Sequence, residues 1–567
     1  MASAPTEWLL THQERGNAQT RLDDDHAGDE AWSSGNLVRP LVHGATYFAE
    51  LHERIEATRE GDLIYFTDWQ GDYDERLTGE PGSEVGEVLG RADERGVDVR
   101  GLIWRSHWEG LGFTAEENRH LGERLQKRGA EALLDMRVRA GGSHHQKLVV
   151  IRHRDDPVRD IAYVGGIDLC HSRRDDADHS GDPQSLEMAK EYGPTPPWHD
   201  IQAAISGPAV RDVETVFRER WEDPAPLSRN PWYWLQDKVL RHDLTPDPLP
   251  EQAPAPPPVA GGTHVVQLLR TYPDLRLNRD YGFANGGERS VARGYTKALE
   301  RARRLVYVED QYLWGHHVGS VFTEALRNQP DLQVVAVVPL YPDLDGWSRR
   351  PELLGRRRAM LEMLDVAPER VLFFGIENHQ GTPVYVHAKT CIVDDTWATI
   401  GSDNFNRRSW THDSELSAGG ARRAGCRGRL RPTAAAHPRR RAPRPHRRRR
   451  LPARRDVRLR RPRRPGRSVR RVRRPPRRLA RGRSGGGASA GSTPPDAASR
   501  ARARRPRALV GALPRHARPR RASALPQAVG WFLTRGSHTC AAPGAGSRVT
   551  DAASLSVGPL AGAHAVG

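Results

Sequence analysis

Two short segments of this 567-residue chain carry a histidine followed two residues later by a lysine. They are His145 with Lys147, in SHHQKLVVI, and His387 with Lys389, in VHAKTCIVDD. The chain has only six lysines against 82 arginines, yet two of the six stand at this offset from a histidine. Two imidazoles with two cations suit double displacement at a phosphodiester. One imidazole attacks phosphorus, the other moves a proton, and the lysines hold the non-bridging oxygens.

The two motifs occupy matching positions in an internal repeat. Strand-like segments recur in the same order, at 61–69, 96–106, 145–151 and 161–169 in the first half, and at 303–313, 331–342, 387–393 and 397–405 in the second. Short β-branched runs alternating with helical patterns predict an α/β fold with sheets covered on both faces. Two lobes related by a pseudo-twofold axis would place the active site between them, because attacking and proton-donating groups must flank one phosphorus.

Composition divides the chain into four predicted parts. Residues 1–243 form the first lobe, 244–262 a proline-rich linker, 263–418 the second lobe and 419–567 a tail. The tail holds 40 arginines and three aspartates, with no lysine or glutamate. A segment of this composition cannot bury enough apolar surface to fold, so the tail is predicted to be disordered. Its abrupt start after SELSAGG also fits a shifted reading frame.

Charge is distributed unevenly between these parts. The whole chain carries +17, which is typical of a nucleic-acid binder. Residues 1–418, however, hold 48 basic and 68 acidic residues, a net charge of −20. Nucleic acid is therefore expected as a partner only if the basic tail is genuine. No signal peptide or membrane-length apolar run is evident. The sequence predicts a cytoplasmic protein, peripheral at the membrane if its substrate is a lipid.

The motifs resemble those of the phospholipase D superfamily, whose signature is His-x-Lys, four residues and Asp, then Gly-Ser or Gly-Gly with Asn or Asp. The second copy matches in full, with His387, Lys389, Asp394, Gly401, Ser402 and Asn404. The first matches at His145, Lys147, Gly165, Gly166 and Asp168. Arg152 stands where its signature aspartate belongs. Segments 165–175, 196–202 and 307–313 resemble the eukaryotic-type enzymes in particular.

The resemblance implies a role for each of these residues. His145 attacks phosphorus and becomes phosphohistidine, while His387 acts as general acid and base; the reverse assignment stays open. Asp200 is the expected partner of His145, and Asp413 that of His387, with Glu415 as the second choice. The lysines hold the phosphate, together with Asp168, Ser402, Asn404 and Trp198. The expected structural residues are Gly165, Gly166, Asp394 and Gly401. No metal or other cofactor is expected.

Several functions remain open on this basis. The leading hypothesis is a phospholipase D that converts phosphatidylcholine-like lipids to phosphatidic acid and exchanges headgroups when an alcohol intercepts the intermediate. The alternatives are a cardiolipin-synthase-type phosphatidyltransferase, a nuclease or other nucleic-acid phosphodiesterase, or a non-enzymatic duplicated scaffold whose tail binds polyanions. The acidic lobes argue against the nuclease, because phosphate tracking requires a basic groove. Both motifs lie in one chain, so a monomer without an obligate protein partner is expected.

Overall fold

The computed structural model describes residues 4–107, 115–240, 245–275, 279–343, 349–422 and 563–565. Its first lobe is built on a seven-stranded sheet. In spatial order the strands are β1 (Ser33–Val42), β8 (Ile201–Ser206), β6 (Ile161–Gly165), β5 (Leu148–Arg152), β2 (Leu63–Asp68), β3 (Asp98–Trp104) and β4 (Glu131–Asp135). The strands β2, β3 and β4 are parallel to one another, and the remaining pairs are antiparallel.

The second lobe repeats this order of strands. Its sheet runs β9 (His264–Tyr272), β17 (Glu415–Arg422), β16 (Trp397–Gly401), β15 (Thr390–Val393), β11 (Leu305–Glu309), β12 (Gln333–Val337) and β13 (Val371–Glu377). Again three neighbours, β11, β12 and β13, are parallel and the others antiparallel. This arrangement confirms the predicted α/β fold of two similar lobes.

Helices cover the outer faces of both sheets. In the first lobe these are α3 (Gly44–Glu56), α4 (Val85–Glu94) and α5 (Ala115–Arg128), and in the second α8 (Ser290–Arg301), α9 (His316–Asn328) and α10 (Arg349–Val366). In α3, Phe48, Leu51 and Ile55 recur at helical spacing and are buried against the sheet. Three further helices are α6 (Ala209–Trp221), α7 (Pro231–Leu240) and α11 (Arg407–Thr411).

A shared apolar core joins the two lobes. It contains side chains of β5, β6, β8 and α6 together with Val266 and Leu268 of β9 and Leu416 and Ala418 of β17. Strand β1 also belongs to both sheets, because residues 37–42 pair with β8 and residues 33–36 pair with β9. The lobes are therefore continuous through backbone hydrogen bonds as well as through side-chain packing.

Four short strands complete the described structure. They are β7 (Trp198–His199), β10 (Glu288–Arg289), β14 (Pro383–Val386) and β18 (Ala563–Ala565). The pair β7 and β14 is parallel and connects the lobes beside the motif segments. Strand β10 pairs with β9, and β18 pairs with β13. None of the helices in the described ranges is long and apolar enough to cross a membrane.

The structure changes two of the predicted domain boundaries. The N-terminal helices α1 (Pro5–Trp8) and α2 (His12–Arg15) pack on the second lobe, where Trp8 and Leu9 enter the core and Arg15 pairs with Glu288 at 3.1 Å. Strand β17 continues through Arg422, so the predicted end of the second lobe at 418 is wrong by four residues. The strand is completed there because β9 offers partners as far as its residue 264. Apart from 563–565, the rest of the predicted tail lies outside the described residues.

Candidate active site

The motif histidines lie in short segments that lead into the corresponding strands β5 and β15. The backbone of the opposite lobe fixes both. The His145 N–H donates to the carbonyl of Ser414 at 2.9 Å, and the His387 N–H donates to that of His199 at 2.8 Å. A parallel bridge between His144 and Ser414 holds the first segment as the β7–β14 pair holds the second. Each histidine is thus positioned by the lobe to which it does not belong.

The carboxylates behind the histidines also come from the opposite lobe. Glu415 Oε2 lies 2.8 Å from His145 Nδ1, and Asp200 Oδ2 lies 2.6 Å from His387 Nδ1. The expectation that Asp200 supports His145 and that Asp413 supports His387 is therefore wrong. Both acids of the observed pairs are fully buried, so each histidine meets its carboxylate in a low-dielectric environment.

The position of Asp413 explains why it supports neither histidine. Its carboxylate accepts the Ser143 N–H at 2.8 Å and pairs with Arg408 at 2.8 Å. The bridge aligns Ser414 with His144, and Glu415 is the next residue, at the start of β17. Glu415 therefore occupies the place in the second lobe that Asp200, just before β8, occupies in the first. Asp413 instead fixes the segment that leads to His145.

Small residues at the ends of β6 and β16 leave room for these acids. A Cβ atom on Gly166 would overlap Asp200 Oδ1. In the second lobe Ser402 takes the corresponding place, and its hydroxyl donates to Glu415 Oε2 at 2.6 Å. Cβ atoms on Gly165 and Gly401 would overlap the neighbouring strands β8 and β17. The motif glycines are thus required by close approach, and Ser402 contacts the acid in this ligand-free structure.

Both motif lysines are buried, and each ammonium donates to the carbonyl of its own motif histidine. Lys147 Nζ also lies 3.3 Å from Asp168 Oδ1, and Lys389 Nζ donates to Gln311 Oε1 at 3.3 Å. Asp168, expected to bind substrate, is thus the ion-pair partner of a lysine. The buried Asn404 Oδ1 has no hydrogen-bond partner among the residues that the structure describes.

The histidines and lysines influence one another electrostatically. Burial, Lys147 and Lys389 hold the pKa of His145 well below its ordinary value. Burial, Lys389, Arg173 and Lys147 do the same to the pKa of His387, and His145 adds to this effect. Burial lowers the pKa of Lys389 to about 8, and the charge of Lys147 contributes. Because each histidine is affected by the lysines of both motifs, these groups share one site between the lobes.

Glu415 determines the tautomer of His145. Burial and the charge of Asp413 raise the pKa of Glu415 to about 8. Its Oε2 atom accepts a hydrogen bond from the Ser402 hydroxyl and also lies 2.8 Å from His145 Nδ1. We assign the proton of neutral His145 to Nδ1, because a carboxylate oxygen at this distance is a hydrogen-bond acceptor, and the lone pair of the ring is then on Nε2.

Aromatic side chains and a third cation lie against the histidines. The Trp198 ring is 4.8 Å from the ring of His387, and the Arg173 guanidinium lies 4.0 Å from the centre of the Trp198 ring. Trp69 stands beside His145, with ring centroids 6.0 Å apart. The sequence predicted Trp198 as a site residue but did not predict Arg173. One arginine among 82 cannot be recognised as a site residue from its residue type alone.

Asp394 lies away from the histidines, in the turn after β15. Its carboxylate accepts the backbone N–H groups of Arg303, Arg304 and Leu305 at 2.6, 2.8 and 2.8 Å. These groups lead into β11, which neighbours β15 in the sheet. In the full motif, the aspartate therefore connects the neighbouring central strands β15 and β11 through hydrogen bonds.

The first lobe builds the corresponding junction from other residues. Arg152, which replaces the motif aspartate, pairs with Asp160 at 2.6 Å and also with Glu214. Asp62, just before β2, accepts the Arg154 N–H at 3.0 Å. A carboxylate again connects the ends of two neighbouring strands, but it is contributed by the partner strand.

Comparison with known protein families agrees with this geometry. The family model described as Phospholipase D matches residues 58–340, and the model described as Cardiolipin synthase, PLD-like domain, matches residues 365–418. Together they cover more than half of the chain and include both motifs. The chain belongs to the phospholipase D superfamily. Both lobes of this superfamily member therefore carry sequence that the family models recognise.

Individual relatives extend the comparison. The chain is 27% identical over 517 residues to Phospholipase D alpha 2 of Oryza sativa and 26% identical over 478 residues to Phospholipase D alpha 3 of Arabidopsis thaliana. These matches cover 67% and 63% of this chain, and 61% and 57% of the relatives. The resemblance to eukaryotic-type phospholipases D is thereby confirmed, over about three-fifths of their length. The solved phosphatidylserine synthase of Haemophilus influenzae superposes with a TM-score of 0.46 at 14% identity, covering 68% of this chain and 82% of its own.

Proposed function

We propose that this chain is a phospholipase D-type phosphodiesterase, which hydrolyses the headgroup ester of a phospholipid and can transfer the phosphatidyl group to an alcohol. The observation that carries the proposal is the crossed arrangement of His145 with Glu415 and His387 with Asp200. In the proposed reaction these two oriented imidazoles take opposite tasks at one phosphorus. The names of the plant relatives support the same reaction class.

In the first half-reaction, His145 Nε2 attacks the phosphorus of the diester. The P–N bond forms while the P–O bond to the headgroup breaks, and His387 gives its Nε2 proton to the leaving alkoxide. His387 must therefore be protonated when substrate is bound. The bound phosphodiester is an anion, so it offsets the lysines that lower the pKa of His387.

In the second half-reaction, water or an alcohol attacks the phosphohistidine. His387 accepts the proton of the incoming hydroxyl, the P–N bond breaks, and His145 returns to its neutral form. Water gives phosphatidic acid, and a primary alcohol gives a phosphatidyl-alcohol. Lys147, Lys389 and the Asn404 amide would hold the non-bridging oxygens through both steps, so the transfer itself needs no metal.

Two properties favour a lipid over a nucleic acid as substrate. Residues 1–418 carry a net charge of −20, which opposes the tracking of a polyphosphate backbone. Helix α7 also presents Trp232, Leu235 and Val239 to solvent, with 70%, 45% and 72% of each exposed. Their spacing places them along one helix face. Exposed apolar side chains with a tryptophan suit insertion into the interface of a bilayer.

Helix α7 is connected to the active site through a short series of contacts. Arg105 pairs with Asp237 of α7 at 2.5 Å, and its guanidinium lies 4.5 Å from the centre of the Tyr233 ring. The neighbouring Trp104 stacks on Trp69, with ring centroids 5.6 Å apart, and Trp69 contacts His145. A bilayer at α7 would therefore lie on the side of the cleft that holds the proposed nucleophile.

We expect the double variant Trp232→Ser, Val239→Ser to lose about tenfold in activity on phosphatidylcholine vesicles, because less apolar surface enters the bilayer. Activity on a soluble short-chain phosphatidylcholine should be unchanged. The matched control is Leu354→Ser, an exposed leucine on α10. Equal losses on vesicles and on the soluble substrate would contradict a membrane-binding role for α7.

The reaction itself is tested with the full chain, phosphatidylcholine vesicles and 1-butanol. We expect free choline and phosphatidylbutanol, and a loss of about 10³-fold or more in the His145→Asn and His387→Asn variants. His316→Asn, at an exposed histidine on α9, is the control. Cleavage of labelled DNA without any phosphatidylbutanol would refute the proposal.

A cardiolipin-synthase-type phosphatidyltransferase is the second candidate, because a family model of that description matches residues 365–418. It would use the same histidines, with phosphatidylglycerol as donor and as acceptor. Mixed vesicles separate the two activities. Cardiolipin formed in preference to phosphatidic acid would favour the transferase.

A further inference from the structure

Three buried histidines meet at a place that the proposed reaction does not use. His43 precedes α3, His179 lies in the loop after β6, and His199 belongs to β7. Their ring centroids are 4.8, 5.2 and 5.6 Å apart, and one ring nitrogen from each lies within 4.8 Å of the others. Three separate segments of the first lobe therefore bring imidazoles to a single point.

The hydrogen bonds of these rings leave nitrogens free. His199 Nε2 faces Glu309 Oε2 at 2.9 Å, and His179 Nδ1 faces Asp175 Oδ2 at 3.4 Å. Nδ1 of His199 and Nδ1 of His43 are buried without a hydrogen-bond partner in the part of the chain that the structure describes. Burying a polar atom unpaired costs free energy, and these nitrogens are therefore available to bind an ion.

We propose that His43, His179 and His199 bind one divalent transition-metal ion, and that Zn²⁺ fits the site best. Neutral imidazole is a preferred zinc ligand, and a carboxylate on the far ring nitrogen is the usual support for such a ligand. Glu309 and Asp175 supply that support for two of the three.

The ion would brace the segment that supports His387. The carbonyl of His199 accepts the His387 N–H, and the next residue is Asp200. The carbonyl of Asp200 in turn accepts the His43 N–H at 2.9 Å. A metal ion joining His43 to His199 would therefore limit movement of the Asp200 backbone. Its role is structural, and it takes no part in the phosphoryl transfer.

The geometry requires a small contraction of the cluster. Tetrahedral zinc at about 2.0–2.1 Å from nitrogen places two ligand nitrogens about 3.3 Å apart. The three nitrogens now lie within 4.8 Å, so each ring must shift by about 1 Å or less toward the centre. Rotation about the Cα–Cβ and Cβ–Cγ bonds of the imidazoles can supply such a movement.

The test uses the full chain, stripped with EDTA and dialysed against buffer. ZnCl₂ is titrated in while bound metal and the thermal unfolding midpoint are measured. We expect one zinc per chain that the His179→Asn and His43→Asn variants lack, with a rise of several degrees in Tm that they also lack. Asparagine suits position 179, because the backbone φ of 50° there is positive and asparagine tolerates it.

Cobalt gives an independent readout, because Co²⁺ bound by three histidines in a tetrahedral site has intense visible absorption. Wild type should show these bands, and the two variants should not. His316→Asn, at an exposed histidine, should bind like wild type, and this control accounts for metal held elsewhere in the chain. Equal zinc stoichiometry in wild type and both variants, or a Tm that zinc does not change, would overturn the proposal.

Discussion

His145 and His387 present the same ring nitrogen to their acids, but the acids differ in strength of support. Asp200 contacts His387 at 2.6 Å and also accepts the Ile201 N–H at 2.8 Å. Glu415 shares its Oε2 between His145 and the Ser402 hydroxyl, and its Oε1 has no partner among the described residues. The two histidines are therefore not equivalent, which is what a nucleophile and an acid–base catalyst require.

The crossed pairs predict different defects when either acid loses its charge. We expect Glu415→Gln to lower kcat by about 10²–10⁴-fold and to prevent formation of the phosphatidyl-enzyme, because His145 loses its reactive tautomer. Asp200→Asn should lower kcat by a similar factor while the phosphatidyl-enzyme accumulates. Rapid acid quenching with labelled phospholipid measures the adduct.

Asp413→Asn is the matched control, since this carboxylate contacts Ser143 and Arg408 rather than a histidine. Its kcat should fall far less than that of Glu415→Gln, because the asparagine oxygen can still accept the Ser143 N–H. If Asp413→Asn abolished the adduct as Glu415→Gln is expected to do, the crossed pairing would be incorrect. An adduct that survives only in Glu415→Gln would exchange the roles of the two histidines.

The lowered pKa of Lys389 predicts that kcat/KM decreases at alkaline pH. Burial lowers this pKa to about 8, so the ammonium is charged below that pH and neutral above it. The charged form binds the phosphate, and kcat/KM should therefore fall above about pH 8. In Lys389→Arg the guanidinium stays charged, so the decline should move to higher pH although the maximum is lower. If the decrease of kcat/KM at alkaline pH were unchanged in this variant, a group other than Lys389 would be responsible for it.

At the residue scale the sequence singled out the two motif histidines but not the carboxylates that contact them. The pairs His-x-Lys were visible because lysine is rare in this chain. The dipeptide His-Asp occurs at Asp200 and again at Asp413, but the two aspartates do not occupy corresponding places in the structure. The register of the bridge at Ser414 makes Glu415 the counterpart instead. Register between distant segments depends on tertiary packing, which sequence order does not reveal.

At the scale of elements, the end of β6 must approach the end of β8 closely for Asp200 to reach His387. Gly166 allows this approach, because any Cβ atom there would overlap Asp200 Oδ1. We expect Gly166→Ala to displace the carboxylate and to lower kcat by about 10²-fold, a factor typical of a misplaced catalytic group. The change should destabilise the fold by only about 1–3 kcal/mol.

Gly122→Ala is the matched control for this substitution. Gly122 lies in α5, where a Cβ atom would make ordinary contacts at 3.4 Å or more. Because alanine favours a helix over glycine, this variant should be stabilised by about 0.5–1 kcal/mol with unchanged kcat. Urea unfolding and steady-state kinetics measure both quantities. Equal kcat values for the two variants would show that close approach at Gly166 does not matter for catalysis.

The internal repeat allowed about half of the strands in the two sheets to be predicted from the sequence. Apolar β-branched runs gave β2, β3, β5 and β6 and their counterparts β11, β12, β15 and β16, each within a few residues of the observed strand. Strands β1, β4 and β8 of the first sheet and β9, β13 and β17 of the second were missed. EALLD in β4 is short and rich in residues that favour helices, and VLFFGIE in β13 follows α10 closely. Their strand state depends on the parallel neighbours β3 and β12, which sequence windows do not include.

At the scale of the whole molecule, the lobes depend on one another. Leu268 and Leu416 of the second lobe pack in one core with Val150 and Phe217 of the first. The N-terminal segment packs on the second lobe, although the predicted boundary assigned it to the first. Composition could not reveal this, because residues 5–15 have no unusual pattern and their partners are more than 250 positions away. The reaction site is therefore complete only when both halves of the chain are folded together.

This interdependence predicts how two inactive chains behave together. We expect co-expressed His145→Asn and His387→Asn chains to remain as inactive as either alone. Strand β1 pairs with β8 of the first sheet and with β9 of the second, so the two lobes that form one site belong to the same chain. A dimer that exchanged lobes would instead restore one intact site in each mixed dimer, giving about a quarter of wild-type activity. Phosphatidylbutanol formed by the co-purified chains measures the difference. Recovery near that level would contradict a self-contained monomer, whereas its absence would agree with both histidines and both acids acting from a single chain.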